Sequence, residues 1–183
     1  MEEPEKVIKS GKVLEFLTVA NEYCLLAEEP GKYPRDTLLG YMHRILPLLY
    51  LKGSLLPVVT PPDEEELYER FVNESQWESC FHEWKELLGK EDAYWNIVHH
   101  HEPEAQPEKG SVAELIADLY QDMKDFVHLY QKPLSASKLH AIAACRYLFY
   151  EEWGVKALNI ALRIHQVIHP CCSHDAEPSG EPL

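Results

Sequence analysis

The chain has 183 residues, a length that suits one domain with a substantial core. Its formal net charge is −14, from 17 basic and 31 acidic side chains, so phosphate backbones and anionic lipid surfaces are poor partners. Hydrophobic residues make up 45%, which excludes disorder throughout, and no apolar run approaches the ~20 residues of a membrane span.

Residues 1–9 are charged and read as a loose arm. The start, MEEPEKVIKSGK, has no apolar stretch of signal-peptide length. The expected location is therefore the cytoplasm, with the five cysteines as free thiols.

Residues 10–29 read as a helix, because Val13, Phe16, Leu17, Ala20, Cys24 and Ala27 recur at helical steps. A second helix is predicted over 34–56, with Pro47 in its middle as a source of kinking. Asp63 and Glu66 have capping-box spacing for a short helix that packs Leu67, Tyr68, Phe71 and Val72. Residues 75–88 put Trp77, Cys80, Phe81, Trp84, Leu87 and Leu88 on one face, and Gly89 supplies the stop. Over 90–110 the prolines, glycine and charges predict a loop, with Tyr94, Trp95, Ile97 and Val98 folding back on the core. No run alternates cleanly enough to predict a strand. Helices follow over 111–131, 136–153 and 154–169. Residues 170–183 have the composition of a disordered tail. The expected architecture is an all-α, single-domain bundle of six to seven helices over 10–169.

In residues 111–131, SVAELIADLYQDMKDFVHLYQ, four acids recur at near-helical spacing. On a helix the row is tilted. Glu114 and Asp125 turn to water, whereas Asp122 borders the apolar face and Asp118 comes next. A di-metal bundle site would need Glu-x-x-His pairs on neighbouring helices, and no such repeat occurs. Arg146 lies near the centre of the apolar face of 136–153. A guanidinium there pairs with Asp122 or Asp118, receives a ligand's anion, or extends to the rim. His165 lies beside Leu158 and Leu162 on the broad apolar side of the last helix. It reads as a core histidine or as a proton carrier in a ligand pocket.

The consecutive His99, His100 and His101 lack the fixed spacing of a structural metal site. His165, His169, Cys171, Cys172 and His174 have zinc-ligand chemistry, but their spacing matches no known module. No Gly-rich phosphate loop, GxSxG or HExxH is present. The ExxE pairs at Glu66/Glu69 and Glu83/Glu86 lack the ExxD that helical nucleotide pyrophosphatases require. No cofactor is expected.

The ordered segments LEFLTVANEYCLLAEE, LLPLLYLKGSLLP, ELLGKEDAYWNIV, SVAELIADLYQDMKDF and ACRYLFYEEWGVKALNIALRIH resemble an uncharacterised bacterial family, domain of unknown function 5063, over about residues 10–168. The resemblance implies a compact helical domain and no particular activity. It directs attention to Asp118, Tyr120, Asp122, Arg146, Trp153, Gly154 and His165.

Three functional expectations follow. The first is a non-catalytic module that binds a protein partner. The second is a small-ligand binder or hydrolase-like enzyme using Asp118, Asp122, Arg146 and His165. The third is metal binding by the C-terminal histidines and cysteines.

Overall fold

A computed structural model describes residues 4–60, 70–97 and 107–170 of the chain. The elements run α1 (Pro4–Ile8), α2 (Gly11–Glu28), a 3-10 turn (Pro30–Lys32), α3 (Arg35–Ser54), α4 (Glu74–Leu88), β1 (Ala93–Ile97), β2 (Pro107–Ser111), α5 (Val112–Gln131), α6 (Ser135–Leu148), a π-helical turn (Phe149–Trp153) and α7 (Gly154–Ile168). Helix α5 is the pillar of the bundle, with α2, α4, α6 and α7 packed around it. Its sequence explains this, because apolar side chains cover so much of its circumference that Val112, Ile116, Leu119, Met123 and Phe126 are all buried.

Buried aromatics bring polar tips into the core, and three of these tips find backbone carbonyls. Tyr23 Oη donates to Ile116 O at 3.0 Å, and Trp84 Nε1 donates to Ala27 O at 2.9 Å. Trp153 Nε1 donates to Cys145 O at 2.9 Å. The Trp153 ring then seats on α3 at Gly53, where a built Cβ would lie 2.2 Å from the ring. That close approach requires glycine.

Three expectations need correction. Residues 4–8 do not belong to a loose arm, since Pro4–Ile8 is helical and Val7 and Ile8 are buried. Tyr130 Oη holds this helix by donating to Ile8 O at 2.7 Å. The stretch 90–110 contains a small antiparallel pair, with Ala93 opposite Ser111 and Trp95 opposite Lys109. Tyr94 is buried by it, but Trp95 stays 65% exposed. Residues 136–153 and 154–169 are not separated by a break at Gly154. A π-helical turn joins them, and Leu148, Phe149, Trp153 and Gly154 all keep right-handed helical backbone. Helix α4 carries a capping box of its own, which adds to the expected 75–88 helix. Asn73 accepts from Gln76 N at 2.9 Å, and Gln76 accepts from Asn73 N at 3.0 Å.

The Gly89 stop is as expected, with φ at 56°, a conformation that favours glycine. The Asp63–Glu66 cap, His99–His101, Cys171, Cys172 and His174 lie outside the described residues. No helix among the described residues is long and apolar enough to cross a membrane.

Candidate functional site

The acidic row of α5 divides in an order different from the one expected. Asp122 is buried at 6% exposure, in keeping with its place at the apolar boundary. Asp125, expected in water, is buried completely. Its Oδ1 accepts from Phe71 N at 2.7 Å and Val72 N at 3.1 Å, which ties the strand of chain entering α4 to α5. Burial raises its pKa, and the two backbone donors work against that rise. Asp125 therefore acts as a structural acceptor.

Asp118 is half-buried and doubly engaged. Trp77 Nε1 of α4 donates to its Oδ1 at 3.1 Å, and Lys156 Nζ of α7 donates to its Oδ2 at 2.9 Å. Lys156 also lies 3.9 Å from Glu152 of the π-helical turn. Asp122 stands behind this bridge. Burial pushes its pKa up to about 7, Lys156 and Arg70 oppose the rise, and Glu152 and Asp118 add to it. The cluster joins α4, α5 and α7 through one carboxylate, which suits a helix clamp.

Arg146 does not join it. Its Nη1 donates to Tyr150 Oη at 3.0 Å, and its guanidinium carbon lies 4.9 Å from the centre of the Tyr150 ring. That is the rim position, made accessible because one helical turn separates Arg146 from Tyr150. His165 is not a core histidine either, for it is exposed. Its Nδ1 is 3.0 Å from His43 Nε2 of α3. The structure thus brings Asp118 and Asp122 together, but places Arg146 and His165 elsewhere. Among the described residues, no three His, Cys, Asp or Glu side chains stand ready to hold a metal ion.

Several functional neighbours escaped sequence reasoning. Lys156 and Trp77 are two, and Glu28, which accepts from Tyr120 Oη at 2.9 Å and also bonds Lys124, is a third. Asp92 is a fourth. Its carboxylate accepts from Ser111 Oγ at 2.9 Å and Ala113 N at 2.8 Å, capping α5 from a distance. Only the Ser111 cap itself carried a local signal, a serine just before an apolar-periodic run.

The surface holds the other unusual feature. On α3, Tyr41, Arg44, Leu48 and Leu51 follow one outward stripe, which Leu55 continues at the helix's C-cap. Tyr41, Leu48, Leu51 and Leu55 are 42%, 41%, 52% and 43% exposed. Between this stripe and α2 runs a groove of about 410 Å³, walled by Glu22, Leu26, Tyr33, Tyr41, Ile45 and Leu48. Helix α7 runs antiparallel to α3, with Trp153 against Gly53 near one end and His165 against His43 near the other. Leu158 and Leu162, 46% and 49% exposed, share the His165 side of α7.

The model for domain of unknown function DUF5063 matches residues 7–170. The chain belongs to the DUF5063 family. Among solved structures it is similar to protein BF1032 from Bacteroides fragilis, a structural genomics target. The two are 30% identical with a TM-score of 0.76, over 97% of this chain and 99% of that one. No curated protein matches the chain. For the DUF5063 chain, the overall helical fold therefore rests on a structural likeness over nearly its whole length. The family description carries no activity.

Proposed function

We propose that the protein is a non-catalytic binding module that docks a protein partner on the outer face of α3. One observation carries this reading. The stripe Tyr41, Leu48, Leu51 and Leu55 stays open to water along a helix whose other side is fully buried. Scattered apolar residues are ordinary on surfaces, but a continuous stripe beside a groove marks an interaction site. Tyr33 and Tyr41 at its end are rigid aromatic anchors of the kind that dominate binding energy. The net charge of −14 selects the occupant. A second copy brings the same sign and is repelled, whereas a basic partner with an apolar segment is attracted.

The test compares the full chain with the Leu48→Glu/Leu51→Glu double variant as baits in a lysate of the native host. Capture is run at low and moderate salt, with light scattering of each bait alone. A basic protein held by the parent, lost by the variant and weakened by salt supports the reading. Partners that the variant retains overturn it, as does a parent dimer that the variant dissolves.

The expectation of a ligand pocket built from Asp118, Asp122, Arg146 and His165 gains no support from geometry, because those four groups do not converge.

A further inference from the structure

Three histidines meet at the end of the α3–α7 seam remote from Trp153. His165 and His169 are one turn apart on α7, with ring centres 5.0 Å apart. His43 packs on both from α3, its ring centre 5.1 Å from that of His165 and 5.9 Å from that of His169. His43 Nε2 and His165 Nδ1 are 3.0 Å apart. That distance is a hydrogen bond, and it requires one nitrogen to donate and the other to accept.

We infer that this cluster is a proton-operated latch. It holds the last turn of α7 against α3 while the His43–His165 pair carries no more than one added proton, and it releases that turn when both rings are imidazolium.

The chemistry of the pair sets the switch. A neutral pair bonds through one N–H, and a pair with one added proton bonds more strongly, because the donor is then charged. A second added proton leaves both facing nitrogens as donors, with no lone pair between them. The bond is then lost and two like charges repel across the seam. The surroundings add to that repulsion. The groups that act on His43 are His165 and His169 from α7 and Arg44 from its own helix, and no carboxylate of α2, α6 or the 3-10 turn joins them. Arg163 of α7 is turned to Trp95 O, to which it donates at 3.1 Å. Burial, then His165, His169 and Arg44, hold the pKa of His43 below the ordinary histidine range. The folded chain therefore binds fewer protons at His43 than the unfolded one. The stability that the latch lends is complete above the ordinary histidine value and is lost as pH falls from there through the lowered one. Release is confined to the end of α7. Ile164 is fully buried and Trp153 is seated on Gly53, so the helix stays anchored before the last turn. Beyond Ile164 the turn packs through the half-buried Val167 and Ile168, and His169 N closes it by donating to His165 O at 2.8 Å.

The test follows the full chain by NMR between about pH 7.5 and about pH 5, a range that spans histidine titration. Exchange of the Ile168 and His169 amides, corrected for the intrinsic effect of pH, should rise at least about threefold on acidification. Overhauser contacts between the His43 and His165 rings should vanish over the same range. His43→Gln keeps a hydrogen-bonding side chain that cannot become charged, so its corrected last-turn exchange should not depend on pH. His165→Gln, at an exposed position, should behave alike. Asp122 titrates in the same range, but it does so in all three proteins, so the difference between parent and variants isolates the histidines. The inference is overturned if corrected exchange in the parent does not rise. It is equally overturned if His43→Gln accelerates as its parent does, or if the rings part while the last turn stays protected.

Discussion

Helices α5 and α3 invert the usual partition of residues in opposite ways. The first buries acids, and the second exposes leucines. The best-buried acid has structural employment, since Asp125 receives two backbone donors from the chain entering α4, and the half-buried Asp118 is clamped by Trp77 and Lys156. The exposed leucines of α3 have none that the fold supplies. A polar residue in an odd place is thus not by itself a functional site. The surface that the bundle leaves unexplained is the better guide to what the protein does.

The comparison can be broken most severely at Asp125. Asp125→Ala would leave the amides of Phe71 and the buried Val72 without their acceptor. A loss of roughly 3 kcal/mol in urea unfolding is expected. A loss within the range of an ordinary surface change would show that Asp125 is not structural. On the inner side of α3, Gly53→Ala drives a methyl into the Trp153 ring and should cost about 2 kcal/mol by overpacking. Near-native unfolding of that variant would mean the seam is loosely packed.

Asp122 tests the buried acids through pH. Its folded pKa is raised to about 7 by burial, above the unfolded carboxylate value. The folded state therefore holds the extra proton. The associated stability is fully present below the unfolded pKa and is lost as pH rises towards 7. Asp122→Asn removes the ionisable group, so its stabilising effect should be greater at pH 8 than at pH 5, by on the order of 1 kcal/mol. Equal effects at the two pH values would remove the raised pKa from the account. The smallest expected change is at the surface. Leu51→Ser and Leu158→Ser should each alter stability by less than about 0.5 kcal/mol. A larger loss from either would show that the stripe belongs to the core and serves the fold instead of a partner.

Much of this fold was legible because helical periodicity is a local property. The burial of the 111–131 helix, the clean face of 75–88 and the stop at Gly89 all follow from residues near one another in the chain. The failures came where a distant segment decides. Asp125 lies on the less apolar side of its own helix, and only the crossing of residues 71–72 makes that side interior. The strand Pro107–Ser111, PEKGS, has little strand propensity, and pairing with Ala93–Ile97 imposes its conformation. The π-helical turn defeated a reading that treated Gly154 as a boundary, although glycine is tolerated where the helix continues. His43 has no local motif, so nothing short of α3 lying against α7 could join it to His165.

The seat of Trp153 on Gly53 has a mechanical meaning. Parallel rods with similar ridges can settle at several offsets, one helical turn of about 5.4 Å apart. Here one rod has a single notch and the other a single tooth. A slip of one turn along α3 would carry the indole from Gly53 onto the bulk of Leu49. The pair has a detent at one offset, and every side chain further along α7 inherits its longitudinal position from it.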